Sequence, residues 1–131
     1  MEERKIKYLF DSSAIFDLIK LGGKALDLLK NNYTISLAYY ELGNILWKYK
    51  GKLDIEVIFN ALSITLSFVN IIEVKLDKEI LEEAIKKNLT YYDSAYLVTA
   101  KRIGAKLVSL DQDLINNGAI TLKDLLESNK Y

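Results

Sequence analysis

Ile6-Lys7-Tyr8-Leu9-Phe10-Asp11-Ser12-Ser13-Ala14-Ile15-Phe16 is a short apolar run that stops at a carboxylate, passes two hydroxyls and resumes as a new apolar pattern. A run of this size with a polar boundary fits a buried strand. Asp-Ser-Ser then offers side-chain oxygens suited to a helix start. Asp11 therefore stands where a strand hands over to a helix, and in open α/β sheets that carboxyl end is where ligands bind.

Outward from this point the chain alternates. A helical pattern runs to Gly22-Gly23, and Lys24 to Leu29 reads as a second short helix. Tyr33 to Leu37 alternates like a strand, and Ser36 is a plausible cap for a helix reaching about Lys50, with Gly51 suited to its stop. In that helix Leu42, Ile45, Leu46 and Tyr49 form one apolar stripe, with Glu41 on its border. Asp54 to Phe68 is a further amphipathic helix, with Ile55, Ile58, Phe59, Leu62 and Leu66 in register. Asn70 to Val74 is a strand candidate. Asp77 caps a helix over 78–87, whose Ile80, Leu81, Ala84 and Ile85 face inward. Thr90 begins another helix, which Gly104 ends. Lys106 to Leu110 is a strand, and Asp111 follows it as Asp11 follows the first. Short helices over 113–116 and about 121–127 close the chain, and Ala119-Ile120 is at most a fragmentary last strand. Strands alternating with helices imply an α/β protein, three-layered α/β/α, with a central and mostly parallel sheet. With no Pro, repeat or linker in 131 residues, one domain spanning 1–131 is expected.

Composition narrows the chemistry. The chain holds no His and no Cys, which excludes Cys/His zinc sites, imidazole acid–base catalysis and thiol nucleophiles. Carboxylates, hydroxyls, Lys, Tyr and an oxygen-bound hard metal ion are what is left. Formal net charge is zero, so any nucleic-acid contact must come from local patches rather than a global basic footprint. No apolar run reaches the roughly 20 residues of a membrane span. Met1-Glu2-Glu3-Arg4-Lys5 carries no signal-peptide core. A cytoplasmic location without membrane attachment is the expectation.

Asp11 and Asp111 end two strands of one polarity, and Glu41 and Asp93 sit early in helices that follow loops. In a parallel sheet all four can meet at one edge. Each acid singly has a plainer account. Asp11 fits a helix cap, Glu41 a solvated helix residue, Thr90-x-x-Asp93 a capping pair, and Asp111 the start of a turn. Together they would repel unless a divalent cation lay between them, and Mg²⁺ or Mn²⁺ suits all-oxygen ligation.

The chain resembles the PIN domain family, most closely the small VapC-type toxin ribonucleases of type II toxin–antitoxin pairs. The resemblance rests on Leu9-Phe10-Asp11-Ser12-Ser13, Tyr40-Glu41-Leu42, Tyr92 through Ala100, Gly104 through Asp111, and Leu114. It implies that Asp11, Glu41, Asp93 and Asp111 hold Mg²⁺ or Mn²⁺ for endonucleolytic RNA phosphodiester hydrolysis. Ser13 and Ser109 would be supporting hydroxyls, and Asp113 fits an outer acid as well as a helix start. It further implies an RNA substrate, a homodimer and a VapB-like antitoxin. Alternatives are an RNA-processing nuclease without an antitoxin and a catalytically silent binding module. A phospho-receiver domain fits less well, because it needs clustered acids after the first strand and Asp11 stands single, followed by hydroxyls.

Cations that could attract RNA are Lys48, Lys50 and Lys52, Lys86 and Lys87, and Lys101, Arg102 and Lys106, although each cluster also fits a solvated face. Tyr39, Tyr40, Tyr91, Tyr92, Tyr96 and Trp47 crowd near the acids. They fit core or interface residues, and base stacking is the other option.

Overall fold

The computed structural model describes residues 5–129; Met1 to Arg4, which carry most of the leader reading, lie outside them. Four short strands, β1 (Tyr8–Phe10), β2 (Tyr33–Ile35), β3 (Asn70–Ile72) and β4 (Lys106–Val108), form a sheet in the order β3-β2-β1-β4. Every pairing is parallel, with Leu9 opposite both Tyr33 and Leu107. Ile120 adds a single parallel bridge to Val108, the fragmentary fifth strand expected at that point. Seven α-helices connect and flank the strands: α1 (Ser12–Leu21), α2 (Leu37–Lys48), α3 (Ile55–Leu66), α4 (Lys78–Lys87), α5 (Tyr91–Ile103), α6 (Gln112–Asn116) and α7 (Leu122–Ser128).

Alternation along the strands explains the three layers. Successive side chains point to opposite faces, so Phe10 and Val108 join one core while their neighbours Leu9 and Leu107 join the other. The first core is completed by Ile15 and Leu18 of α1, Leu42 of α2, Leu62 of α3 and Leu125 of α7. The second is completed by Ile80 of α4, Tyr96 and Leu97 of α5, and Leu114 of α6.

Local chemistry sets most helix ends. Asp54, Asp77, Thr90 and Thr121 each accept a hydrogen bond from the backbone N–H three residues on. Gly104 closes α5 at φ +68°, a left-handed position that glycine takes without strain.

Several expectations need correction. The segment after Gly22-Gly23 is a tight 3₁₀ helix over Gly23–Leu28 rather than an α-helix. Each strand is only three residues long, because the backbone turns away early. The Ser109 N–H leaves β4 to donate to Ile120 O, and α2 begins at Leu37. Ser36 occupies the cap position of α2 without capping it; its Oγ accepts instead from Val74 N at 3.0 Å, tying down the end of β3. Helix α4 buries only Ile80 and Ala84, a stripe one residue wide, and leaves Leu81 and Ile85 exposed. Phe59 of α3 is likewise exposed. No helix among the described residues is long and apolar enough to cross a membrane.

From β1 the chain winds to β2 and β3 on one side, and β4 returns on the other side of β1. The winding reverses between β1 and β4, and in open α/β sheets such a switch point forms a crevice beyond the carboxyl ends of the strands.

Candidate active site

Asp11 enters this crevice from the end of β1. Its N–H donates to Val108 O at 3.1 Å, extending the ladder to β4 by one bond. Its buried carboxylate is also the cap of α1: Oδ1 accepts from Ala14 N at 2.9 Å and from Ser13 Oγ at 2.7 Å. Oδ2 accepts from Ser109 Oγ. Ser109 Oγ in turn accepts from Asp111 N at 2.9 Å, and Ser13 Oγ from Leu110 N at 3.2 Å. These bonds lace the start of α1 to the β4–α6 loop and orient both strand-end acids. Asp11 is therefore the cap of α1, with its carboxylate held at the carboxyl ends of β1 and β4.

Asp111 caps α6, its Oδ1 accepting from Asp113 N at 2.8 Å. Asp93 lies in the first turn of α5. Its N–H donates to Thr90 Oγ1 at 3.1 Å, but among the described residues no side chain or backbone N–H donates to its carboxylate. The reciprocal half of a capping box is therefore missing, and the carboxylate lies instead beside those of Asp111 and Asp113. Glu41, in the second turn of α2, accepts from Tyr96 Oη at 2.6 Å and from Ser12 Oγ at 3.3 Å.

Electrostatics follow from this crowding. Burial, and then the charges of Asp111, Asp11, Glu41 and Asp113, push the Asp93 carboxyl up to about 6. Burial raises Asp11 and Glu41 as well, against the opposing pull of their hydroxyl donors. The Tyr96 phenol is buried beside Glu41 and pushed far up, so it stays a proton donor.

Asp111, Asp11 and Glu41 all lie close enough to Asp93 to raise it, so the four expected acids are neighbours, but not equally close. Asp93, Asp111 and Asp113 bring carboxylate oxygens within 4.8 Å of one another, while Asp11 and Glu41 stand outside that triplet. Such an all-oxygen cluster could hold a hard divalent cation. Asp113, read from the sequence as an outer acid or a helix start, lies in the first turn of α6 with its carboxylate beside those of Asp93 and Asp111. Tyr96 was legible only as one aromatic among several; its place three residues after Asp93, on the same helix face, was the available signal.

The cations are largely elsewhere. Lys106 begins β4 and, with Lys5, Lys7 and Lys30, lines a groove at the opposite edge of the sheet. Arg102 is held by Asp77 at 2.9 Å and Glu79 at 3.0 Å, and Lys87 by Glu83 at 3.1 Å. Lys50 lies over the Trp47 ring. Only Lys48, of the cations considered, lines the same groove as Glu41.

An acid-lined crevice at the switch point of a parallel sheet defines a class, and the sequence family agrees with it. The PIN domain profile matches residues 8–120, and the chain belongs to that family. Two of its relatives are VapC-type proteins. It is 32% identical over 125 residues to Exonuclease VapC9 of Pyrobaculum aerophilum, covering 92% of this chain and 94% of that one. It is also 32% identical over 121 residues to Ribonuclease VapC3 of the same organism, covering 83% and 92%. A crystal structure of a Pyrobaculum aerophilum protein superposes with a TM-score of 0.84 at 31% identity, over 94% of this chain and 88% of that one. A toxin–antitoxin complex from Klebsiella pneumoniae shares the fold, with a TM-score of 0.66 at 21% identity over 88% and 98%.

Proposed function

We propose that this chain is a single-domain VapC-type nuclease toxin that hydrolyses RNA phosphodiester bonds endonucleolytically with Mg²⁺ or Mn²⁺. The observation that carries the reading is the grouping of carboxylates: Asp93, Asp111 and Asp113 lie within 4.8 Å of one another, and burial together with the charges of Asp111, Asp11, Glu41 and Asp113 raises Asp93 to about 6. Asp93, Asp111 and Asp113 would hold the metal, with Asp11 and Glu41 completing the anionic wall. Bound there, a divalent ion supplies Lewis-acid polarisation of the phosphate and a water of lowered pKa. The chain's own part is orientation. Ser13 and Ser109 fix the Asp11 carboxylate, Ser109 positions the Asp111 backbone, and Tyr96 with Ser12 holds Glu41.

Partners follow by the same reasoning. The names of the relatives and the Klebsiella pneumoniae complex support an antitoxin. Apolar side chains left exposed on α2 and α3, among them Trp47, Val57, Phe59 and Ile64, support protein contacts, a homodimer included.

The two named relatives differ, one an exonuclease and one a ribonuclease, so the test uses RNA without ends. A circular single-stranded RNA incubated with the protein should be linearised in Mn²⁺ and left intact with chelator. Trimming of linear RNA alone would replace the endonuclease reading with an exonuclease one, and cleavage that survives chelation would overturn the metal site.

A further inference from the structure

Beside the acids lie two tyrosines that the fold does not use. Helix α2 buries Ala38, Leu42 and Leu46, whereas Tyr40 on the opposite side is 79% exposed. Tyr92, in the first turn of α5 next to Asp93, is 58% exposed. Neither ring pairs with another aromatic among the described residues. Packing accounts for neither, and at a helix surface Tyr is a poorer helix former than Ala, Leu or Lys.

Their placement has a pattern. One groove of about 360 Å³ runs along α2 from Ser12 and Glu41 past Asn44 to Lys48, and Tyr40 and Tyr92 both line it. A second, of about 310 Å³, is lined by Ser36, Lys75, Leu76 and again Tyr40 and Tyr92. The two rings thus stand at the junction of both grooves. Lys48 makes no ion pair among the described residues. It lies seven residues beyond Glu41 on the same helix, about 10 Å along the axis. A cation at that spacing from Glu41, in the same groove, suits a phosphate of a strand that leaves the acids along the groove.

We infer that Tyr40 and Tyr92 form a base-stacking clamp for the nucleotide adjoining the scissile phosphate, with Lys48 taking the next phosphate. The clamp rests on the nuclease reading above and deepens it. Stacking needs an unpaired base, so the clamp selects single-stranded or looped-out RNA and is sequence-tolerant, since every base has a π-face. Tyr40 and Tyr92 are positioning residues; they act on the base and leave the chemistry to the acids.

The test crosses protein and ligand changes in the full chain. A fluorescent single-stranded RNA oligonucleotide is prepared intact and with an abasic site at each position flanking the cut. Its cleavage is followed in Mn²⁺, and its binding is followed by anisotropy in chelator. One abasic position should weaken binding to the wild type about ten-fold. Tyr40→Leu and Tyr92→Leu should raise KM for the intact strand by a similar factor, with a smaller change in kcat, and should erase the abasic penalty. Tyr40→Phe and Tyr92→Phe should restore it, because the ring is what stacks. Cleavage whose abasic penalty is indifferent to both Leu variants overturns the clamp and leaves the nuclease standing. Tyrosine-dependent binding without cleavage overturns the nuclease and, with it, a clamp beside a scissile phosphate.

Discussion

Replacing Asp93 by Asn removes a charge that the protein bears at a cost whenever no cation is bound. Burial and four neighbouring carboxylates raise this group from 3.8 to about 6. Its native form therefore binds a proton more tightly than the unfolded chain does. The stability linked to Asp93 is fully present below pH 3.8 and is lost as pH rises through about 6. Sealed from water, that gap would correspond to roughly 3 kcal/mol. Asp93 is half-buried, and screening by solvent reduces the figure to about 1–1.5 kcal/mol. Asp93→Asn keeps the backbone N–H that donates to Thr90, so the helix start is preserved. In chelator at pH 7.5 the variant should melt about 3–6 °C above the wild type, and at pH 4 the difference should nearly vanish. With Mn²⁺ in large excess over its dissociation constant, the wild type should gain about 2–3 kcal/mol and the variant much less, reversing their order. Differential scanning fluorimetry across pH, with and without Mn²⁺, reads all three. A variant less stable than wild type in chelator at pH 7.5, or one that gains as much from Mn²⁺, would refute the picture of a repulsive crevice relieved by metal.

Other outcomes follow from the hydrogen-bond lacing. Ser109→Ala takes a donor from the buried Asp11 carboxylate and an acceptor from Asp111 N; urea unfolding should show a loss of about 1–3 kcal/mol, with activity reduced as well. Tyr96→Phe removes the 2.6 Å donation to Glu41, which now opposes the effect of burial on that carboxyl. Glu41 should then hold its proton to higher pH, so the acid limb of the pH–rate profile moves upward; an unmoved limb would mean that Glu41 does not need to ionise.

What could be read from the residues was local. Asp77 and Thr90 carry their helix starts in their own side chains, and Gly104 marks its stop by conformation. The alternation of apolar pairs such as Leu9-Phe10 and Leu107-Val108 announces a sheet covered on both faces. Asp11 and Asp111 could be set at one edge from strand polarity alone. The misreadings came from contacts distant in sequence. Ser36 looked like a cap because Val74, which takes its hydroxyl, is 38 residues away. Leu81 and Ile85 looked buried because nothing in α4 tells how narrow its contact with the rest of the protein is. Lys106 stood five residues before Asp111 in the chain, yet a strand carries it to the opposite edge of the sheet. Asp113 joined Asp93 only through the turn that Asp111 itself caps, and the bond from Tyr96 to Glu41 spans 55 residues.

If the neighbouring carboxylates work as one metal-dependent hydrolytic site, neutralising one of them must stop cleavage. The most direct measurement compares wild type and Asp93→Asn on the same single-stranded RNA, in Mn²⁺ and in chelator, by single-turnover cleavage. Wild type should cleave in Mn²⁺ only, and Asp93→Asn should lose at least about 100-fold, as expected when a metal-binding carboxylate is neutralised. Undiminished cleavage by Asp93→Asn, or equal rates with and without metal, would contradict a shared metal site.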